Sequence, residues 1–166
     1  VRQFILDIKW MPYKVSNNEG CLKSIFIREG KRTGEMMIIL RTSHQVPEDI
    51  REGLEKFVEM LLDLPNKFNF GNKRITSIHW MKVISKRGQK TRIEEERLWG
   101  AETLIEVMQL PGGDSLEFEI KPQAFFQVNT EQGEVLYQQV LDLIEEADND
   151  LIFDLFCGTG TIGMFM

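Results

Sequence analysis

Two stretches of the chain carry side chains that chemistry could use. One is Phe125-Phe126-Gln127-Val128-Asn129, and the other, a helical segment later, is Asp154-Leu-Phe-Cys-Gly-Thr-Gly-Thr-Ile-Gly163. A glycine turn that follows an apolar strand lets backbone approach a ligand closely, and Gly158, Gly160 and Gly163 satisfy the spacing GxGxxG of dinucleotide sites. That spacing alone is a weak signal. Asp154 in front of the turn adds a carboxylate, and Gln127 adds a planar group with both donors and acceptors. Nucleophilic chemistry has less to offer, since the chain holds two cysteines, Cys21 and Cys157, in contexts unlike CxxC. Their spacing argues for neither a disulfide framework nor a zinc or iron-sulfur site. His44 and His79 have no company of acids or cysteines around them, so they read as surface or sheet-face residues.

A dinucleotide domain places pyrophosphate at the helix N-terminus and does not require a polar segment one helix upstream. S-adenosylmethionine has no phosphate. Its sulfonium and zwitterionic methionine tail suit close glycine backbone, a carboxylate and a side-chain amide, which are the groups that Asp154 and Gln127 add to the turn. Asp154 reads equally well as a carboxylate that fixes the turn by accepting loop amides.

These residues must be positioned by surrounding elements. Cys21–Glu29 and Glu35–Thr42 are strand-like runs joined by Gly30-Lys-Arg-Thr-Gly34, a hairpin with basic residues at its tip. From Pro47 to Leu64, apolar residues recur at helical spacing, with Pro47 in the first turn. Further strands are expected at Ile75–Val83, Thr91–Trp99, Thr103–Leu110 and Ser115–Ile120, the last two joined by the turn Pro111-Gly-Gly-Asp114. Trp10, Trp80 and Trp99 are mostly core residues on this reading. Asn129 caps a helix running to Glu146, with Gln132 completing a box and Leu136, Val140, Leu143, Ile144 and Ala147 forming its buried stripe. After the turn Asp148-Asn-Asp150, Leu151–Phe156 is apolar on both faces, as a buried parallel strand would be. Without parallel neighbours, that strand is expected to be disordered, to pair elsewhere or to serve association.

The fold class is therefore an α+β central domain with a mixed or antiparallel sheet over residues 1–120. It is followed over residues 121–166 by the start of a Rossmann-like α/β domain. With 166 residues, 42% of them hydrophobic and 28% charged, the chain has the profile of a globular protein. No run approaches the roughly 18 apolar residues of a membrane span, and the N-terminus lacks the pattern of a signal peptide, so the expectation is cytoplasmic. The chain does not begin with Met, which reads as an internal segment. A net charge of −6 argues against nucleic-acid binding through the overall field. Its distribution is uneven, however. Arg28, Lys31 and Arg32 form one basic group, and Lys82, Lys86, Arg87, Lys90 and Arg92 another, so that Arg28, Lys31, Arg32, Lys82, Lys86 and Arg87 are candidate nucleic-acid contacts. Glu94-Glu95-Glu96 follows at once, and a solvated loop with balanced charge accounts for the second group equally well.

Phe125-Phe126-Gln127-Val128-Asn129-Thr130, Leu136-Tyr137 and the stretch from Asp154 to Gly163 closely resemble the RNA 5-methyluridine methyltransferases that act on tRNA and 23S rRNA. Ile27-Arg28 and Thr33-Gly34-Glu35-Met36-Met37 resemble, less strictly, the segment preceding that family's methyltransferase domain. The resemblance implies transfer of a methyl group from S-adenosylmethionine to C5 of a uridine in rRNA or tRNA. It also implies that Gln127, Asp154, Phe156, Gly158, Gly160 and Thr161 face the cofactor and that Phe125 and Gln127 face an extruded uracil. Phe126 is expected to pack beneath the helix, since neighbours in an extended segment point opposite ways.

In the family, a thiolate adds at C6 and a base later removes the C5 proton. Both groups lie downstream of the glycine loop, so this chain is expected to hold no catalytic residue and to be inactive alone. Neither cysteine matches the nucleophile motif, and two isolated cysteines do not support the four-thiolate iron-sulfur cluster of many members. Two other readings compete with this one: a non-catalytic RNA-binding module and a fragment of a dinucleotide-dependent oxidoreductase. A cysteine and an acid in the family's downstream motifs would favour methyl transfer over both.

Overall fold

The computed structural model describes residues 2–85, 88–145 and 151–165. Helix α1 (Arg2–Ile8) is followed by β1 (Leu22–Glu29), β2 (Glu35–Ser43), α2 (Ile50–Lys67), β3 (Arg74–Ile84) and β4 (Arg92–Gly100). Then come β5 (Leu104–Gln109), β6 (Ser115–Ile120), α3 (Thr130–Glu145) and the short α4 (Thr161–Phe165). The first four strands form one sheet in the order β1-β2-β3-β4, and β5 and β6 form a separate antiparallel hairpin. The sheet is mixed. β1 runs antiparallel to β2, β2 parallel to β3 and β3 antiparallel to β4, because α2 supplies the crossover that a parallel pair requires.

The central strands β2 and β3 are buried on both faces, and period-two alternation sorts their side chains into two cores. Ile38, Leu40, Ile78 and Trp80 meet Leu54, Phe57 and Leu61 of α2 on one face. On the other, Met37, Ile39 and Met81 meet Leu104, Met108, Phe118 and Ile120 of the hairpin, together with Phe126, Tyr137 and Phe165. The hairpin thus lies between the sheet and α3. Trp10 and Trp80 are core residues, whereas Trp99, near the end of edge strand β4, is exposed. α2 starts three residues later than its periodicity predicts, because Pro47 to Asp49 form a turn that closes through Ile50 N–H to Pro47 C=O at 3.2 Å.

Two sequence expectations are corrected. The stripe predicted for α3 is not the face that packs: Gly133 and Tyr137 are buried and Leu141 partly so, whereas Leu136 and Leu143 are exposed. Gly133 wins that face because it lets the helix come down on Gln127 and Met108. Ala147 and the turn at 148–150 lie outside the described residues. Leu151–Phe156, read as a buried parallel strand, is neither a strand nor buried, and Leu151, Phe153 and Leu155 are exposed. A strand apolar on both faces needs neighbours for its amides and its side chains, and none of the described strands lies beside it.

Candidate functional site

The segment between β6 and α3 is held from three directions. Asn129 caps α3 through its Oδ1, which accepts the Gln132 amide at 3.3 Å, as the capping reading requires. Phe126 is buried against Phe118, ring centroids 5.3 Å apart. Phe125 is 78% exposed, so the two phenylalanines point opposite ways as expected. The third anchor is Glu106, only 2% exposed on β5. Its carboxylate accepts the backbone amides of Lys31, Arg32 and Val107 at 2.7, 3.2 and 2.9 Å and the Thr130 hydroxyl at 2.8 Å. One buried acid thereby ties the β1–β2 loop, β5 and the first residue of α3 together.

This anchoring opens a cleft of about 400 Å³ between β1, the hairpin and the 125–130 segment, lined among others by Phe26, Arg28, Phe125, Gln127 and Val128. The size is that of a small-ligand site. A second groove of about 210 Å³ shares Phe26 and Arg28 and adds Arg41 and Gln123. Gln127 is half-buried, and its Cγ would stand 3.2 Å from a Cβ placed on Gly133, so glycine in the first turn of α3 is what lets Gln127 lie where it does.

The structure brings Phe125, Gln127 and Arg28 together in the cleft, and the glycine loop, none of whose residues line it, sits against α3, the helix whose Gly133 meets Gln127. Phe165 of α4 packs edge-on against Tyr137 of α3 at 5.3 Å, which docks the loop on that helix. Phe156, Gly158 and Gly160 have left-handed backbones, with φ of 63°, 60° and 72°. For glycine this costs little; for a phenylalanine with its ring fully in solvent it is strained. Thr161 is buried, and its hydroxyl pairs with that of Thr159 at 2.7 Å. Asp154 Oδ2 is buried without a hydrogen-bond partner among the described residues, 3.6 Å from where a Cβ on Gly163 would stand. The carboxylate therefore leaves a buried acceptor open beside the turn.

The basic candidates divide. Arg28 is partly buried, and burial holds its guanidinium below the ordinary range. Lys31 pairs with Glu131 at 3.4 Å, and Arg32 forms a two-pronged bridge to Glu134 while donating to the Val107 carbonyl at 2.8 Å. Both bind the loop tip to α3 instead of projecting from it. Burial alone would push the Glu134 carboxyl up, but the Arg32 hydrogen bond, the Gln109 amide and the Arg32 charge together bring it below its usual range. Lys82 pairs with Glu94 at 2.6 Å on the α2 side of the sheet. Lys86 and Arg87 lie outside the described residues.

Cys21 is buried, and that burial, with the charge of Asp49 second, pushes its thiol up to about 11, so it is no nucleophile near neutral pH. Cys157 is exposed within the glycine turn. His44 is exposed, whereas His79 is buried between Ser77 and Glu95. Among the described residues no group of three or more His, Cys, Asp or Glu is placed to hold a metal ion, and no helix is long and apolar enough to cross a membrane.

Glu106, Arg41 and Phe26 escaped sequence reasoning. A signal for Glu106 existed, since in Leu104-Ile-Glu-Val-Met108 strict alternation puts the acid on the same face as Leu104 and Met108.

No protein-family profile matches the chain. Its relatives define a class all the same. An RNA methyltransferase of Protochlamydia amoebophila is 33% identical over 157 residues, 92% of this chain and 35% of that protein. One of Chlamydia trachomatis is 34% identical over 155 residues, 90% of the chain and 36% of the relative. The resemblance is borne out at the level of RNA methyltransferases, to which the chain is similar along nearly its whole length. Among solved structures it is similar to the Pyrococcus abyssi tRNA (uracil-54, C5)-methyltransferase in complex with S-adenosyl-L-homocysteine. The TM-score is 0.64 and the identity 26%, and the match covers 99% of this chain and 34% of that one. The chain spans about a third of the length of these relatives.

Proposed function

We propose that this chain is the RNA-facing part, and the first cofactor-binding turn, of an enzyme that methylates C5 of a uridine in tRNA or rRNA. The division of labour falls between residues 1–120 and residues 121–166. The observation that carries the reading is the cleft in which Phe125 and Gln127 stand with Arg28, in a chain whose structural neighbour is a uracil-C5 methyltransferase. Phe125 offers an exposed ring on which an extruded uracil can stack, and Gln127 offers an amide to its polar edge.

The glycine loop fits S-adenosylmethionine on two counts. Gly158 and Gly160 present backbone with no side chain in the way, and Asp154 has an unpaired buried oxygen. Gln127, Asp154, Phe156, Gly158, Gly160 and Thr161 would hold the cofactor, which when bound supplies a methyl group activated on sulfonium. Attack by uracil C5 calls for a thiolate at C6. Neither cysteine here has that role, Cys21 because its thiol is buried and Cys157 because it belongs to the turn. The 166-residue chain by itself is therefore proposed to be inactive.

The test is to incubate the protein in its full natural length with unmodified tRNA and rRNA and labelled S-adenosylmethionine, then digest the RNA to nucleosides. Label is expected in 5-methyluridine, lost in Gln127→Ala and Asp154→Ala, and absent with the 166-residue chain alone. Label in a base other than uracil or on ribose would overturn the reading.

A further inference from the structure

Arg28 and Arg41 stand on the same face of the sheet, on neighbouring strands. Phe26 pairs with Ile39 in register, Arg28 lies two residues beyond Phe26 on β1, and Arg41 two beyond Ile39 on β2. The arginines thus flank an apolar pair at opposite corners, and both line the groove that joins the cleft of Phe125 and Gln127 through Phe26 and Arg28. Neither forms an ion pair among the described residues. The Arg41 guanidinium lies over the Phe26 ring, 5.3 Å from its centroid, and its Nε is buried without a hydrogen-bond partner.

The nearby acids are all engaged elsewhere. Glu29 pairs with Lys73 at 2.7 Å, and Glu106 is filled by three amides and a hydroxyl. Glu95 accepts the Gln123 amide at 2.8 Å and lies 3.5 Å from His79. A groove that has, among the described residues, two guanidinium groups without an ion-pair partner and no free carboxylate carries local positive charge, in a chain that is acidic overall. Planar guanidinium forks match phosphate oxygens, and a guanidinium laid over an aromatic ring is a surface on which a base stacks.

We propose that this groove binds the single-stranded RNA on one side of the target uridine. In it Arg28 and Arg41 neutralise backbone phosphates, and the adjoining base stacks on the Arg41–Phe26 pair. The proposal rests on the function given above and adds where the strand runs. A duplex does not fit this role, because its bases present no free faces.

The test measures binding of the 166-residue chain to a fluorescein-labelled single-stranded RNA of twelve nucleotides containing uridine, by anisotropy between 50 and 200 mM salt. Arg28→Gln and Arg41→Gln are each expected to weaken binding about tenfold and to lower the slope of log K against log salt by about 0.7, one phosphate each on a single strand. Arg28→Lys keeps the charge and should keep the slope. Phe26→Ala should weaken binding about tenfold with the slope unchanged, as loss of one stacked base predicts. Lys56→Gln, on the exposed side of α2, should change neither. If Arg41→Gln fails to fold by circular dichroism, Arg28→Gln decides the matter. Wild-type binding that survives Arg28→Gln at unchanged slope overturns the groove and leaves methyl transfer standing. A wild-type chain that binds no RNA overturns the groove, while nucleoside analysis of the full-length protein judges the function separately.

Discussion

Replacing Glu106 should loosen the site without touching any residue assigned to it. The carboxylate divides its work evenly: Oε1 accepts from the Arg32 and Val107 amides, and Oε2 from the Lys31 amide and the Thr130 hydroxyl. In Glu106→Gln one oxygen becomes an NH₂ group that faces two donors. The amide sits best at the Oε2 position, where the Thr130 hydroxyl can turn round and accept, so the loss reduces to the Lys31 amide and a weakened acceptor. That is about 1–2 kcal/mol. Glu106→Ala removes all four bonds. The Lys31 and Arg32 amides, in an exposed loop, recover water, but Val107 and Thr130 do not, and the cost rises to about 3–4 kcal/mol. At about 2–4 °C per kcal/mol for a chain of this size, the midpoint of thermal unfolding should drop by roughly 10 °C for the alanine variant. Equilibrium urea unfolding followed by tryptophan fluorescence measures both variants. A Glu106→Gln protein within about 0.5 kcal/mol of wild type would show that these bonds add nothing net and that the reasoning fails.

Three further outcomes follow from buried or half-buried contacts. His79 is held below its ordinary range by burial, ahead of the opposing pull of Glu95 and the Ala101 carbonyl, with Arg97 lowering it further and Glu102 raising it. The unfolded chain therefore takes up the proton first, so this contribution is whole above about pH 6.5 and declines as pH falls below it toward the folded value. Urea midpoints at pH 7.5 and 5.5 should differ less in His79→Gln than in wild type, and equal differences would exclude His79 as the cause. The Glu134 carboxylate acts in a lower window, being whole above the usual carboxylate range and lost as pH falls through its depressed value. In Gly133→Ala the new methyl group would press on Gln127 Cγ at 3.2 Å, while alanine favours the helix by up to about 1 kcal/mol. The variant should thus unfold at no lower urea concentration than wild type yet bind S-adenosyl-L-homocysteine several-fold more weakly, a loss best read by calorimetry on the full-length protein. Unchanged affinity would remove Gln127 from the cofactor site.

The strands of the first 120 residues and helix α2 were legible because their signals are local, whereas α1 was not anticipated. The strand-like runs Glu35–Thr42 and Ile75–Val83, the helical period after Pro47 and the glycine turn at 111–114 each require only neighbours in sequence. The opposite orientations of Phe125 and Phe126 follow from the period of two in an extended segment. What was not legible depends on partners far along the chain. The α3 stripe was misread because Leu136 and Leu143 outweigh Gly133 on any scale of hydrophobicity, yet it is the small residue that allows close approach. Lys31 and Arg32 looked like a basic tip because the acids that hold them, Glu131 and Glu134, are about a hundred residues away. Leu151–Phe156 has the composition of a central strand, and composition does not supply the neighbours a strand needs.

The β5–β6 hairpin joins the sheet that carries Arg28 and Arg41 to the segments that carry Gln127 and the glycine loop. It has no hydrogen-bonded ladder to the main sheet, and its apolar face is instead shared. Leu104, Met108, Phe118 and Ile120 form one core with Met37, Ile39 and Met81 below them and with Phe126, Tyr137 and Phe165 above. Interiors packed this closely transmit displacement instead of absorbing it. Any shift of the sheet that carries Arg28 and Arg41 is therefore passed through the hairpin to Phe126, next to Phe125 and Gln127, and to Phe165, at the end of the helix that follows the glycine loop. Glu106 adds the polar half of the same coupling, since its carboxylate fixes the hairpin to the β1–β2 loop on one side and to Thr130 on the other. A hairpin placed between the sheet and these segments, and bonded to both by side chains rather than by a ladder, makes the spacing between them a property of one core.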